Sequence, residues 1–152
     1  RQRRVGWGGR EFTMLKFRTM RADAEADGPR WAELDDARVT RLGRWLRLTH
    51  LDELPQLVHV VQGDMSLIGP RPERPEFVVD LVEQVPWYHL RHVVRPGVTG
   101  WAQVNQGYVA SVEETVSKLE YDLEFLRILG VGTYLKVLGL TVWVSLRGKG
   151  GR

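Results

Sequence analysis

The sequence predicts an α+β fold: a single helix-rich domain spanning residues 1–152, with an N-terminal β-hairpin. Two alternating segments near the N-terminus flank a glycine-rich turn, and apolar residues recur at helical spacing along most of the remaining chain. A chain of 152 residues with 43% hydrophobic content is large enough to bury one substantial core. The absence of cysteine excludes disulfides and thiolate metal sites. No apolar run approaches the roughly 18 residues that a membrane-spanning helix needs.

The N-terminal hairpin is predicted over residues 2–7 and 11–18, with the glycines of residues 4–10 supplying the turn. Alternation in the second strand places Lys16 and Arg18 on the same face. This pattern is typical of a solvated edge strand, and it also suits a cationic strand end that lines a phosphate site.

The segment after the hairpin is polar and is predicted to lie at the surface. Residues 20–27 suit a short exposed helix that stops at Gly28-Pro29, and residues 31–36 suit another helical turn. A basic stripe with three-residue spacing follows and comprises Arg38, Arg41, Arg44 and Arg47. Solvent exposure is expected for the first two, whereas Arg47 is expected to point toward the junction that follows.

Two helices are predicted around this junction, and each carries an apolar stripe that we expect to face the core. The stripes comprise Leu42, Trp45 and Leu46 upstream, and Leu54, Leu57, Val58 and Val61 downstream. Because proline is tolerated in a first turn, Pro55 sets the start of the second helix at Asp52 or Glu53. Both carboxylates then lie at a helix N-terminus, where free N–H groups favour negative charge. A capping role for Asp52, with Thr49 in a capping box, is the simpler interpretation of this stretch alone.

A proline-rich loop at residues 63–75 follows the second helix. Pro70, Pro72 and Pro75 stiffen an extended backbone around Arg71. So rigid a loop suits the presentation of a side chain at a fixed place, although a plain connector could have the same composition.

The C-terminal half is predicted to be mostly helical. The predicted elements are helices at 76–84 and 86–92, a type II turn within 95–100, a short strand at 101–105, a helix at 111–129 and a final apolar helix at 133–146. The helix at 111–129 is expected to open with a capping box of Ser111 and Glu114 and to end at Gly130 and Gly132. The final helix suits either the core or a membrane interface. Residues 148–152 are expected to be disordered.

The residue pattern also argues against several functions. Neither a phosphate-binding Walker loop nor a dinucleotide-binding glycine fingerprint occurs. His89 and His92 lack a third nearby ligand, so no metal site is predicted there. A helix-turn-helix over residues 40–62 is disfavoured because its second helix would offer mainly Leu and Val to DNA, so no nucleic acid partner is expected. Lys occurs at four positions only, so 18 of the 22 basic residues are Arg, which indicates phosphate-bearing partners or merely GC-rich coding.

Four motifs, in this order, resemble the signatures of one family. They are Lys16-Phe17-Arg18-Thr19-Met20, Leu51-Asp52-Glu53-Leu54-Pro55-Gln56, Gly63-Asp64-Met65-Ser66-Leu67-Ile68-Gly69-Pro70-Arg71-Pro72-Glu73 and Arg95-Pro96-Gly97-Val98-Thr99-Gly100-Trp101. From Arg1 to about Arg147 the chain resembles the bacterial sugar transferases, which are monotopic polyprenyl-phosphate phosphoglycosyl transferases of exopolysaccharide and O-antigen assembly. The resemblance implies transfer of a sugar-1-phosphate from a UDP-sugar to undecaprenyl phosphate, with release of UMP and with Mg²⁺ as cofactor. It also implies a helix-rich catalytic domain with C-terminal amphipathic helices lying on the membrane surface.

The resemblance assigns roles to both carboxylates. It implies that Asp52 is the catalytic nucleophile of a covalent aspartyl intermediate and that Glu53 binds Mg²⁺. Neighbouring side chains of a helix point to different sides, which suits this division of labour. A diphosphate repels a carboxylate, so cations must neutralise its charge before attack. The predicted phosphate-binding residues are, in order of preference, Arg47 and Arg71, then Lys16, Arg18 and Arg95.

The resemblance further implies a location at the cytoplasmic face of the bacterial inner membrane, anchored by a membrane hairpin that precedes the domain in the family. Because the chain opens with Arg1 rather than Met, we expect it to be part of a longer protein. Residues 146–150 resemble the exopolysaccharide branch, which favours glucose or galactose as the sugar. The alternative is a non-catalytic basic module that binds anionic lipid or nucleic acid. The choice between a monomer and a homo-oligomer stays open.

Overall fold

The computed structural model describes residues 1–26, 28, 31, 36–106 and 112–146. Within these residues, short strands and α-helices alternate irregularly, and the predicted helix-rich α+β class is confirmed. The elements are β1 Gln2–Val5, β2 Glu11–Met14, α1 Arg41–Leu48, α2 Leu57–Gln62, β3 Ser66–Ile68, α3 Pro75–Gln84, β4 Gly97–Thr99, α4 Trp101–Asn105, α5 Val112–Arg127 and α6 Val131–Leu146. Three 3₁₀ segments join them at Trp7–Gly9, Leu51–Gln56 and Tyr88–Val93.

The predicted hairpin is confirmed, but its second strand is shorter than expected. β1 and β2 pair antiparallel from Gln2 opposite Met14 to Val5 opposite Glu11. Lys16 and Arg18 therefore lie beyond the end of β2, and the predicted strand face with two cations is wrong. The chain leaves the ladder after Met14 because the next backbone donors bond to a different part of the protein, as described below.

A second, parallel pair forms the centre of the fold. Ser66 of β3 pairs with Gly97 of β4, and Ile68 pairs with Thr99. A β-carbon added at Gly97 would lie 2.1 Å from the backbone nitrogen of Gly69, so the strands approach closely only because both positions are glycine. Gly97 belongs to β4 rather than to the left-handed corner of a turn, so the predicted type II turn is wrong.

The short strand predicted at residues 101–105 is also wrong, because these residues form α4. Trp101 and Ala102 are buried on this helix, and the Trp101 indole donates to Glu124 of α5 at 2.9 Å. Docking on α5 outweighs the weak strand preference of so short a segment.

Helix α5 connects two apolar clusters that make up the core. The first contains Ile68, Trp101, Phe125 and Val137, and the second contains Leu81, Val85, Tyr88 and Leu119. Helix α6 closes the first cluster, and two hydroxyl pairs link it to the parallel strands: Ser66 with Tyr134 at 3.0 Å and Thr99 with Thr141 at 2.8 Å.

Six of the seven residues in the apolar stripes expected to face the core at the junction are exposed instead, and Leu46 is half-buried. We call this surface the outer apolar face, and it comprises Leu42, Trp45, Leu48, Leu54, Leu57, Val58 and Val61, all exposed. The residues that face inward are small or polar, namely Gly43, Asp52, Gln56 and His59. At Gly43 an added β-carbon would lie 1.9 Å from the Thr19 carbonyl oxygen, so α1 can pack against this segment only through a glycine.

The basic segment before α1 differs from its prediction in two ways. Residues 22–26 form turns rather than a helix, with hydrogen bonds from Ala24 to Arg21 and from Ala26 to Asp23. Arg38 was expected in solvent, yet it is buried because it pairs with Asp36 and donates to the Trp31 and Ala24 carbonyls. Several predictions fall on residues outside the described ones. They concern Pro29 of the predicted Gly28-Pro29 helix stop, residues 32–35 of the helical turn predicted at 31–36, the Ser111 cap and the tail at 148–152.

The predicted helices at residues 76–84 and 111–129 correspond to α3 and α5, and the one at 86–92 is the 3₁₀ segment Tyr88–Val93. Gly132, expected to end α5, lies inside α6. Helix α6 buries Val137 and leaves Val131, Leu135, Val142 and Trp143 exposed. Among the described residues, no helix is both long enough and apolar enough to cross a bilayer.

Candidate active site

The Leu51–Gln56 3₁₀ segment carries Asp52 and Glu53 and sits between α1 and α2. The chain reverses into it at His50, whose φ of 55° lies in the left-handed region, and the Glu53 amide donates to the His50 carbonyl at 3.1 Å. His50 occupies the N-cap position, while the Thr49 hydroxyl donates back to the Trp45 carbonyl. The capping interpretation of Asp52 and the capping box are therefore wrong. The second helix was predicted to open at Asp52 or Glu53, and its α-helical part instead starts at Leu57.

The segment that follows β2 places the Lys16 side chain next to both carboxylates. The Leu15 amide donates to Nε2 of His59 at 3.2 Å, and the Phe17 amide donates to the Asp52 carbonyl at 3.0 Å. Held between these two bonds, Lys16 places its Nζ 2.8 Å from Asp52 Oδ2 and 3.3 Å from Glu53 Oε1. One ammonium group thus bridges the acidic pair.

His59 is a structural support for this segment rather than a metal ligand. Because Nε2 accepts from the Leu15 amide, the hydrogen-bond network assigns the proton to Nδ1, which lies 3.2 Å from Asp64 Oδ2. The ring also meets Phe12 edge to face, with 5.5 Å between centroids. These contacts fix the path of the backbone on which Lys16 is carried.

Arg71 reaches the site from the proline-rich loop. Its guanidinium donates to both Glu53 oxygens, with Nη1 3.2 Å from Oε2 and Nη2 in close contact with Oε1. Burial raises the pKa of Glu53, but the Arg71 guanidinium and the Lys16 ammonium outweigh it and lower the pKa to about 2. Glu53 is therefore ionised throughout the physiological pH range.

The loop that presents Arg71 is fixed by its own carbonyl groups. Four consecutive carbonyls accept from three other parts of the chain: Pro70 from the Gly97 amide, Arg71 from the Arg91 guanidinium, Pro72 from the Arg4 guanidinium and Glu73 from the Val5 amide. The distances are between 2.8 and 3.2 Å. With two prolines restricting φ as well, the Arg71 backbone has little freedom.

Asp52 is buried, with only 2% of its surface exposed to solvent. Its Oδ2 accepts no well-oriented hydrogen bond from the described residues, although Nζ of Lys16 lies 2.8 Å away. A buried carboxylate that is incompletely hydrogen-bonded keeps its lone pairs available for another atom. In this respect it differs from Glu53, whose two oxygens are both engaged by Arg71.

The acidic pair also offers a partial metal site. The described residues contain no group of three or more His, Cys, Asp or Glu that could hold a metal ion by itself. Mg²⁺ in nucleotide enzymes is commonly bound by one or two carboxylates, with substrate phosphates and water completing its shell. Glu53, with Asp52 beside it, could supply one or two carboxylate ligands of such a shell but not a complete protein cage.

The structure brings together four of the seven predicted site residues: Lys16, Asp52, Glu53 and Arg71. The other three have different surroundings. Arg47 donates from Nε to the hydroxyl of buried Thr19 at 2.9 Å, in the same motif as Lys16. Arg18 is exposed, and the Arg95 guanidinium lies 5.9 Å from the centre of the Trp7 ring.

Two further residues support the site, Arg91 outside the motifs and Glu73 at the end of the third motif, and their roles were not predicted. Arg91 was assigned to an ordinary helix, yet it is buried and pairs with Asp122 of α5 at 2.8 Å. Glu73 pairs with Lys118 of α5 and lies 3.8 Å from Arg4. Burial raises the pKa of Glu73, but Lys118, Arg91 and Arg4 together lower it to about 2. No local signal could identify these pairs because the partners lie 31 to 69 residues apart.

Comparison with known proteins gives a consistent result. A family model described as bacterial sugar transferase matches residues 1–148. A UDP-N-acetylgalactosamine-undecaprenyl-phosphate N-acetylgalactosaminephosphotransferase of Aeromonas hydrophila is 43% identical over 151 residues, covering 99% of this chain and 36% of that protein. A UDP-glucose:undecaprenyl-phosphate glucose-1-phosphate transferase of Xanthomonas campestris pv. campestris is 41% identical, covering 93% of this chain and 30% of that protein. The transferase of the same name from Escherichia coli (strain K12) is 39% identical, covering 94% of this chain and 31% of that protein. The chain thus spans about a third of the length of these relatives.

Proposed function

Because this chain belongs to the bacterial sugar transferase family, we propose that residues 1–152 are the catalytic domain of a phosphoglycosyl transferase. It transfers a sugar-1-phosphate from a UDP-sugar to undecaprenyl phosphate and releases UMP, as a membrane step of exopolysaccharide or O-antigen synthesis. The names of the relatives support the reaction class. The observation that carries the proposal is the buried Asp52 with an incompletely bonded Oδ2, next to a Glu53 held ionised by two cations.

The proposed reaction has two displacement steps at phosphorus. A carboxylate oxygen of Asp52 attacks the sugar-linked phosphorus, the bond to the bridging oxygen of the diphosphate breaks, and UMP leaves with that electron pair. A phosphate oxygen of the lipid then attacks the same phosphorus, and the bond to Asp52 breaks, which restores the carboxylate. Neither step needs a proton if the phosphates enter and leave ionised.

The charges of the site explain why substrate and cation should bind together. Lys16 and Arg71 balance Asp52 and Glu53, so the cluster is neutral before substrate enters. The charge of a diphosphate would then be uncompensated, which opposes its approach to a carboxylate. When bound at Glu53, Mg²⁺ would supply the extra positive charge and stabilise the developing charge on the phosphates.

The chain's own cations complete the neutralisation. Lys16 lies between the two carboxylates, so a small movement of its ammonium group transfers its charge from Asp52 to an entering phosphate. Arg71 keeps Glu53 ionised and oriented. Arg47 offers the rest of its guanidinium fork to a phosphate, because Thr19 engages only its Nε. Arg18, which is exposed, and Arg95, whose guanidinium lies 5.9 Å from the centre of the Trp7 ring, are less favoured.

We place the domain at the cytoplasmic face of the bacterial inner membrane, anchored by a preceding membrane segment as the family resemblance implies. The outer apolar face supports contact with lipid, because seven large apolar side chains are exposed together beside the acidic pair. The exposed apolar side of α6 supports the same placement. This outward display of Leu and Val does not suit nucleic acid, which requires a cationic surface.

The sugar is proposed to be glucose or galactose. Relatives of similar identity carry names with either glucose or N-acetylgalactosamine, so the choice must be measured. The decisive experiment is intact-mass spectrometry of the chain with Mg²⁺ and UDP-glucose, UDP-galactose or UDP-N-acetylgalactosamine in parallel, together with UMP detection.

A sugar-phosphate adduct is expected with one donor, and it should vanish in Asp52→Asn but persist in Asp80→Asn, a control at an exposed aspartate of α3. An adduct or full UMP release in Asp52→Asn would overturn the nucleophile assignment. A module that only binds anionic lipid would form no adduct, and the removal of Asp52 would strengthen its binding or leave it unchanged.

A further inference from the structure

Arg91 is a buried arginine whose polar contacts converge on the loop that presents Arg71. Its Nε donates to Asp122 Oδ2 at 2.9 Å, and its Nη1 donates to the Tyr88 hydroxyl at 2.7 Å. Its Nη2 donates to the Arg71 carbonyl at 2.9 Å and also lies 2.8 Å from Asp122 Oδ2. The side chains of Arg91 and Asp122 are each only 2% exposed.

We infer that Arg91 is a positioning residue for Arg71, oriented by Asp122 and Tyr88, and that it affects transfer only through the Arg71 backbone. Arg91 touches neither carboxylate of the acidic pair in the described contacts. Its single link to the site is the Arg71 carbonyl, three bonds from the β-carbon that starts the Arg71 side chain. The inference rests on the proposed function for its effect on turnover, but its geometric part stands independently.

Three features explain why the position of the Arg71 carbonyl determines where the Arg71 guanidinium lies. The Arg91 fork is rigid and is held from two sides, by a carboxylate on α5 and by a hydroxyl in its own 3₁₀ segment. Arg71 lies between two prolines, so a displaced carbonyl cannot be corrected by a compensating rotation about φ of the neighbours. The Arg71 guanidinium must meet two oxygens of Glu53 at once, and such a bidentate contact tolerates little displacement.

A purely structural alternative is that Arg91 and Asp122 only fasten the Tyr88–Val93 segment to α5. The two ideas differ in what happens at Glu53. If Arg91 positions Arg71, its replacement by lysine weakens the Arg71 contact with Glu53, so the effects of changing the two residues are coupled. If Arg91 only fastens the segment, its replacement costs the same whether or not Arg71 is present. Lysine keeps the positive charge of residue 91, so the coupling reports geometry rather than charge.

The first measurement is a double-mutant cycle on the free energy of unfolding, followed by urea titration at pH 7. Arg91→Lys should lower the urea midpoint when Arg71 is present and lower it less in an Arg71→Met background, where the contact with Glu53 is already absent. The matched control is Arg38→Lys, another buried arginine paired with an aspartate, whose carbonyl partners are Ala24 and Trp31. That control should lower the midpoint equally in both Arg71 backgrounds.

The second measurement is a double-mutant cycle on kcat/KM for UMP release. Arg91→Lys should lower kcat/KM roughly 10-fold when Arg71 is present and less than about 2-fold in an Arg71→Met background, because coupled residues are not additive. If Arg91→Lys does not fold, Tyr88→Phe removes one support of the fork and should give smaller changes in the same directions.

A loss of stability from Arg91→Lys that is equal in the two Arg71 backgrounds, or from Tyr88→Phe when only that variant folds, would overturn the inference. An equal loss of kcat/KM in both Arg71 backgrounds would overturn it as well. Absence of UMP release from the unmodified chain would instead count against the proposed function, and the unfolding cycle would still decide whether Arg91 positions Arg71.

Discussion

Replacing Arg71 by methionine tests how the acidic pair is stabilised. Methionine retains much of the aliphatic volume but removes the cation that contacts both oxygens of Glu53. The pKa of Glu53 is lowered from 4.5 to about 2, which corresponds to about 3 kcal/mol of stabilisation at neutral pH. Lys16 supplies part of this effect, and the Arg71 side chain is 34% exposed, so we expect Arg71→Met to cost about 2 kcal/mol at pH 7.

The pH dependence distinguishes this electrostatic loss from a loss of packing. Because the folded-state pKa of Glu53 is depressed, its stabilising contribution is complete above pH 4.5 and is lost as the pH falls through about 2. The difference in unfolding free energy between the unmodified chain and Arg71→Met should therefore shrink by about half between pH 7 and pH 3. Urea titrations across this range provide the measurement.

Arg74→Met is the matched control for this experiment. Its partners Glu25 and Glu76 are 38% and 42% exposed, so the loss should stay below about 1 kcal/mol at pH 7. A difference for Arg71→Met that is equally large at pH 3 and pH 7 would refute the reasoning, because the loss would then come from side-chain packing and not from the ion pair.

Three further predictions concern different parts of the molecule. Arg47→Lys removes the guanidinium fork and should lower the rate of UMP release at least about 10-fold, whereas near-normal turnover would exclude Arg47 from phosphate binding. Gly43→Ala forces a β-carbon to within 1.9 Å of a carbonyl oxygen, so it should lower the free energy of unfolding by more than about 3 kcal/mol. In the control Gly139→Ala no atom lies within 4 Å of the new β-carbon, so this variant should stabilise α6 by up to about 1 kcal/mol. Val61 is 89% exposed, so Val61→Glu should abolish flotation with anionic lipid vesicles while changing the free energy of unfolding by less than about 0.5 kcal/mol. Equal flotation of Val61→Glu and of a Val79→Glu control on α3 would contradict the placement of the outer apolar face on lipid.

The sequence predicted the main helices and the hairpin because these elements depend on local spacing and turn residues. Helices α3 and α5 were located to within two residues, apart from the segment around Ser111 that the structure does not describe. The parallel pair of β3 and β4 was missed because three-residue strands carry no periodicity, and their pairing depends on close approach at glycines.

Periodicity located the apolar stripes of α1 and α2 but could not tell which side of each helix is inside. Hydrophobic spacing gives the direction of a face, and the buried side is then inferred from the usual distribution of apolar residues. Here the inward positions hold polar residues, namely Asp52, Gln56 and His59, so the inference of a core-facing stripe failed.

The candidate site was predicted only as far as its motifs reach. Lys16, Asp52, Glu53 and Arg71 each lie in a motif, and the structure brings them into contact. Their chemical roles remain predictions. Arg91 could not be found in this way, because its partner Asp122 is 31 residues distant and neither residue shows an unusual local pattern.

The hydrogen bonds to the carbonyls of residues 70–73 also bear on when the site can appear during folding. The donor to Pro72 is 68 residues away in the chain, and the others come from separate segments, including the N-terminal hairpin and β4. Contacts between such distant segments require loop closures that cost entropy, so they tend to form late. Helices such as α3 and α5 can gain order from local contacts, whereas the geometry of Arg71 depends on tertiary assembly. The proposed transferase activity should consequently return later than helical circular dichroism during refolding, and it would report completion of the native topology.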